Sequence, residues 1–159
     1  MKKALIAVGL AAATYGAVSL IKSDAPATKP GHVSTLDRIW IDHIPKNDRD
    51  VFQVFVAISE EPFGIFQATS QWTGKYELFR YQDDGKALTI HYPQTGENDK
   101  VSTNARECNE GGFDFCLDLG GASRGAKKYF SMEEWVVNGR DPAAIRARVE
   151  QLVAQRISK

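Results

Sequence analysis

Residues 109–119 read Asn109-Glu110-Gly111-Gly112-Phe113-Asp114-Phe115-Cys116-Leu117-Asp118-Leu119, and this stretch decides the fold. Phe113, Phe115, Leu117 and Leu119 alternate with Asp114, Cys116 and Asp118, a two-residue period that makes one apolar and one polar face. The glycine pair in front supplies a tight turn. The strand therefore starts at a hairpin, and its partner is the preceding segment, Lys100 to Cys108.

Working outward, the same period recurs between turn signals. Upstream, Leu36 to Ile44 is followed by a turn at Lys46-Asn47-Asp48. Val51 to Ile58 then carries Phe52, Val54, Val56 and Ile58 on one side, and Glu60-Glu61-Pro62 breaks it. Gly64 to Trp72, Lys75 to Gln82 and Ala87 to Tyr92 come next, the last two joined by Asp83-Asp84-Gly85, a strong hairpin signal. Pro93 to Asp99 is a polar loop. Downstream, Lys127 to Phe130 is a last short strand. The expectation is a mainly β domain: an antiparallel meander of about eight strands, since short connections favour sequential neighbours. Eight strands can close, or nearly close, into a small barrel, which removes exposed edges.

The chain end differs. Ser131 with Glu134 has capping-box spacing, so Met132 to Val137 is expected to make a helical turn or two, stopped by Asn138-Gly139. Asp141 then caps a C-terminal helix with Pro142 at its first position. Ile145, Val149, Leu152, Val153 and Ile157 form its apolar stripe, opposite Arg146, Arg148, Gln151 and Gln155. An amphipathic helix needs an apolar surface. Phe55, Phe79 and Tyr81, opposite the main apolar faces of their strands, are expected to supply it; a partner-binding or dimerising helix is the alternative.

At the other end, Lys2 and Lys3 precede eighteen uncharged residues, Ala4 to Ile21. This is the layout of a secretory signal, and as an N-terminal apolar helix of roughly 27 Å it is just long enough to anchor in a bilayer. Cleavage fits best after Ala27. Residues 1–27 are thus a signal peptide or a membrane anchor, 28–35 a proline- and glycine-containing linker, and 36–159 the β-rich domain with its helix. No cysteine follows the apolar run, so a lipoprotein lipobox is absent. The expected location is exported: periplasmic or secreted, or held at the inner membrane by residues 4–21.

Composition is that of a globular protein, 43% hydrophobic and 25% charged over 159 residues. Setting aside residues 1–27, with Lys2, Lys3 and Lys22 against Asp24, takes 20 basic and 20 acidic residues to 17 and 19, a formal charge of −2. Such a balance exerts no general pull on nucleic acid.

Cys108 and Cys116 are the only cysteines, and in an exported chain an even count implies a disulfide. Cys116 points away from the Phe113/Leu117 face, so the bridge would staple the hairpin from outside. Redox or zinc roles lack the two-residue spacing and the ligand number they require. His32, His43 and His91 stand beside no second ligand type at metal spacing, so no metal or cofactor is expected. Gly121-Ala122-Ser123-Arg124-Gly125 has Gly-x-Ser-x-Gly spacing, but without the strand-to-helix context of a nucleophile elbow. An enzyme of unrecognised type would have to bring His43, His91, Glu77 and Asp114 into one cleft.

One loop has functional chemistry. Gly120 to Lys128 reads GGASRGAKK, with Arg124, Lys127, Lys128 and the flanking Tyr129 as candidate ligand- or partner-binding residues. Backbone N–H groups and positive charge on glycine-rich chain can receive an anion. The loop lacks the ending and strand-to-helix context of a phosphate loop. Tyr129 and Trp135 also suit core or barrel-end positions.

The export segment, about eight meandering strands, the disulfide and the C-terminal helix together resemble the lipocalin-like barrels over residues 36–158. The family's glycine-x-tryptophan signature is not present, since Arg38-Ile39 precede Trp40. The resemblance implies an apolar ligand cavity; a barrel of this size can equally be filled by side chains. The functional expectation is an exported, non-enzymatic binding domain, carrying a small apolar ligand or engaging an envelope protein. An enzyme of unrecognised type and a structural envelope protein are the alternatives.

Overall fold

The computed structural model describes residues 33–70, 72–137 and 142–157. The signal or anchor segment, most of the linker, Asn138-Gly139 and the Asp141 cap lie outside them. Eight antiparallel strands run in chain order: β1 Trp40–Ile41, β2 Phe52–Ile58, β3 Phe63–Thr69, β4 Gly74–Asp83, β5 Ala87–His91, β6 Asn98–Glu110, β7 Phe113–Gly120 and β8 Lys128–Ser131. Each pairs with its neighbour, and β8 returns to β1 through Ile41 and Phe130, so the meander closes. A helix, α1, spans Pro142–Ile157. The expected closing meander of eight strands and the C-terminal helix are observed.

The first strand is shorter than its alternation suggested, two residues instead of nine. Beyond it the chain is held by side chains and single bridges. Asp37 accepts bonds from the Ser59 backbone N–H (2.8 Å) and hydroxyl, and Arg38 bridges to Val136. Residues 132–137 are correspondingly not helical. The Ser131 hydroxyl, expected to cap a helix, donates to Ile39 O (2.7 Å), while Ile39 N donates to Trp135 O (2.9 Å) and Val137 N to Asp37 O (2.9 Å). A partner strand outcompeted the local cap.

Directly paired residues project to the same face, so the register sorts inside from outside. Trp40 faces Phe55, Phe55 faces Phe66, Tyr81 faces Ile90, Leu88 faces Val101, and Leu117 faces Tyr129. These residues, with Phe79 and Tyr92, form the inner cluster. The outer cluster holds Ile41, Phe52, Val54, Val56, Ile58, Ile65, Phe113, Trp135 and, from α1, Val149.

This reverses one expectation. Phe55, Phe79 and Tyr81 do not receive the helix; they fill the barrel. The helix contributes Val149, 1% exposed, to the cluster built on Phe52, Val54, Val56 and Ile58. Both faces of β2 are apolar, so its alternation marks two faces without saying which is inside. Closure decides: the enclosed volume takes the bulky aromatics, and the outer wall takes the aliphatic row, in the cluster that Val149 of α1 joins.

Phe113 also departs from expectation. It leaves the Phe115/Leu117/Leu119 face and stacks on Phe130 (5.1 Å between centroids), with Trp135 edge-on. The register between β6 and β7 shifts between Glu107 and Glu110, and a bulge of this kind re-aims the end of the hairpin. Cys108 and Cys116 are bonded there, with Cα atoms 5.6 Å apart. Cys116 pairs across from Phe130, on the outward face, so the bridge staples the hairpin from outside. A disulfide is the mark of an oxidising compartment.

Candidate functional site

The interior is occupied by the chain's own aromatic side chains. Ring centroids among Phe55, Phe66, Phe79, Tyr92 and Tyr129 lie between 5.1 and 6.5 Å apart, ordinary packing contacts. Gly64, paired with Phe79, shows how tight the fill is: a β-carbon there would come within 2.3 Å of the Phe79 ring and 2.4 Å of Val56 O. The polar tips of these inner rings are bonded. Trp40 Nε1 donates to Thr35 O (2.9 Å), Tyr81 OH to Ile58 O (2.7 Å), and Tyr129 OH accepts from Ala126 N (2.7 Å). Burial pushes the phenols of Tyr81, Tyr92 and Tyr129 above their ordinary pKa.

One mouth of the barrel is shut by the glycine-rich loop. Gly125, at φ +74°, lets the loop dip onto the interior, where a β-carbon would lie 2.2 Å from Tyr129 OH and 2.7 Å from the Phe66 ring. The turn aims Arg124 across the opening. Its Nε donates to Glu77 Oε2 (2.7 Å), its Nη2 to Glu97, and its guanidinium lies over the Tyr92 ring at 4.8 Å. Asp99 completes the plug, accepting from Tyr92 OH (2.8 Å) and from the Ser123 N–H and hydroxyl (2.7 Å each). The contact with Glu77 raises the Arg124 pKa further, and Arg124 holds the Glu97 carboxyl below its usual value.

The four loop candidates therefore have separate situations. Arg124 is engaged by two carboxylates of its own chain. Lys128 pairs with Glu110 and lies 5.2 Å from the Phe130 centroid, on the outer wall. Tyr129 is inside, fully buried. Lys127 alone is exposed at the loop's surface, its carbonyl accepting from Leu119 N (2.8 Å). The structure does not gather them around one open site.

The four residues of the enzyme alternative are also separately partnered. His43 lies against Asp42 (3.0 Å) and Asp50 (3.4 Å), and His91 against Asn98 (2.9 Å). Glu77 is tied to Arg124, and Asp114 accepts from Glu133 N (2.9 Å). Among the described residues, no group of three or more His, Cys, Asp or Glu could hold a metal ion. No helix among them is long and apolar enough to cross a membrane.

The exposed chemistry lies elsewhere, on the β3–β4 hairpin. Trp72 is 73% exposed and Tyr76 64% exposed. The turn presenting Trp72 is built by Ser70, whose N–H donates to Thr73 O (2.7 Å) and whose hydroxyl accepts from Trp72 N and Thr73 N (3.3 and 3.2 Å). On the wall below, Pro62, Phe63, Leu78, Arg80 and Pro93 line an open groove of about 590 Å³. Sequence reading assigned Trp72 and Tyr76 only to a strand and an alternation. The signal that was there is an aromatic residue next to a turn, at Trp72-Thr73-Gly74.

No protein-family model, no curated protein and no solved structure matches the chain.

Proposed function

We propose that the chain is an exported protein-interaction domain of the bacterial envelope, acting through the outer surface of its β3–β4 end. The observation that carries this reading is the pairing of an aromatic-filled interior with two exposed aromatics held on a hydrogen-bonded hairpin. A carrier of small apolar molecules needs interior space, and here the space goes to Phe55, Phe66, Phe79 and Tyr129. Trp and Tyr are enriched among the residues that anchor protein interfaces. The likeness to lipocalin-like barrels then extends to strand number and meander order, not to ligand carriage. Residues 1–27 act as the export signal in this reading and, where retained, residues 4–21 tether the domain to the inner membrane.

The test is site-specific photo-crosslinking in the producing cell. A photoreactive residue at position 72 is expected to give a discrete adduct with one envelope protein, and one at the exposed Thr89 on β5 to give none. Equal labelling from both positions, or a lipid or metabolite retained in stoichiometric amount by the purified protein, would overturn the reading.

A further inference from the structure

We infer that the open edge of β4 at Gly74–Tyr76 is a strand-addition site for an extended segment of a partner protein carrying an acidic side chain. The inference rests on the interaction reading above and names how that partner is held.

The edge arises from strand offset. β4 pairs with β3 over its length, from Thr69↔Gly74 to Phe63↔Arg80, but with β5 only from Arg80 to Asp83. The stretch of β4 before Arg80 has no strand on its other side. Gln94 stands in for one at a single residue: with its amide oriented so that donor meets acceptor, its Nε2 donates to Leu78 O (2.8 Å) and its Oε1 accepts from Leu78 N (3.1 Å). Leu78 therefore directs its backbone groups to the open side. The two-residue period of a strand directs those of Tyr76 and Gly74 the same way. Among the described residues they meet no protein partner there.

A longer edge exists on β6, which runs to Glu110 while its pairing with β5 ends at Ser102. That edge carries a bulge between Glu107 and Glu110, and the charged side chains of Arg106, Glu107 and Glu110. Bulges and charges are the devices that keep an edge unpaired. The β4 edge has no bulge, and of its charges Glu77 is held by Arg124, which leaves Lys75 beside the open groups. It has Trp72 in the turn before it and Tyr76 on it.

Charge selects the occupant. Lys75, between the two open residues, is exposed and makes no ion pair among the described residues, whereas Glu77 is held by Arg124. A second copy is disfavoured. The antiparallel register that bonds both open residues of each copy sets Gly74 against Tyr76, which places Lys75 directly opposite Lys75 of the other copy. Setting Tyr76 against Tyr76 bonds only one open residue of each copy and puts Gly74 against Leu78, which Gln94 already occupies. An acidic residue opposite Lys75, with an apolar neighbour against Tyr76, satisfies the same edge. Main-chain bonds would give the affinity and the flanking side chains the choice of partner.

The experiment selects short linear peptides displayed on phage against the intact, disulfide-bonded chain, and uses one selected peptide as probe. The selected peptides are expected to share an acidic residue and to protect the Tyr76 amide from hydrogen exchange. Tyr76→Pro removes the outward N–H and leaves the bonds to β3 in place, so it is expected to weaken the probe about tenfold. Tyr76→Val, which keeps the N–H, should weaken it less, and Lys75→Glu should abolish the preference for an acid. Gln94→Ala frees Leu78 and should tighten binding, a gain that does not depend on Tyr76→Pro remaining folded. Failure to select any peptide, or peptides indifferent to Gln94→Ala and to the Tyr76 amide, would overturn the inference. So would a concentration-dependent dimer that protects Tyr76, because a second copy would then own the edge. Crosslinking from position 72 does not depend on these backbone bonds, so it can survive when the edge inference fails.

Discussion

Arg124 Nε donates to Glu77 Oε2 at 2.7 Å, joining the β7–β8 loop to the middle of β4 across the barrel mouth. The other carboxylate oxygen, Glu77 Oε1, is buried without a hydrogen-bond partner. A carboxylate in that position depends on its single cation. Arg124→Ala should lower the thermal midpoint more than Glu77→Gln, because it strands the charge instead of removing it. The double variant should fall less than the sum of the two. A double-mutant cycle in urea measures this, and simple additivity would show that the pair is not coupled.

Gly125 should not tolerate a side chain. Its positive φ and the contact of a β-carbon with Tyr129 OH and the Phe66 ring act together. Gly125→Ala is expected to cost about 2 kcal/mol or more, read from urea denaturation. The same substitution at Gly85, where a β-carbon meets nothing within 4 Å, carries only the backbone strain and should cost less.

Truncating the interior separates filling from carrying. Phe66→Ala should destabilise by about 3–5 kcal/mol, as a large ring leaves a packed site. The intact protein should not bind a fluorescent fatty acid, whereas the enlarged interior of Phe66→Ala should take up small apolar probes such as benzene or xenon. Saturable, stoichiometric fatty-acid binding by the intact protein would restore the carrier reading.

The Cys108–Cys116 bridge closes a short loop, with a sequence separation of 8. The chain-entropy model assigns such a loop about 2.5 kcal/mol. Reduction under native conditions should lower the thermal midpoint accordingly while the barrel stays folded, since the β6–β7 pairing continues from Ser102 to Glu107 without the bridge. Loss of all near-ultraviolet dichroism on reduction would show the bridge to be a requirement for folding.

The mouth makes stability fall in acid. Burial on its own pushes the Asp99 carboxyl up, but the bonds from Ser123 and Tyr92 and the charge of Arg124 outweigh it and hold the carboxyl below its ordinary value. A depressed folded-state pKa stabilises the fold above the unfolded value, and that contribution is lost as pH falls through the folded one. Urea midpoints should therefore hold down to about pH 4 and decline below it. Asp99→Asn should start lower at neutral pH and decline less steeply. A parallel decline would place the acid sensitivity in other carboxylates, such as Asp50 and Asp84, which backbone N–H groups hold down in turns.

By itself the sequence determined the strand order, the hairpin turns at Asp83-Asp84-Gly85 and Gly111-Gly112, and the bridge between its two cysteines. These are local: a two-residue period, a residue able to take positive φ, and two thiols brought together by one hairpin. Tertiary structure alone decided which face of β2 is inside. Phe52, Val54, Val56 and Ile58 compete with Phe55 and Ala57 for one core, and only closure of the barrel allots the aromatics to its interior. It likewise spent Arg124, which reads as a free cation in its loop, on a carboxylate 47 residues away. Strand offset left the edge of β4 open, and offset belongs to the pairing of strands, not to any one of them.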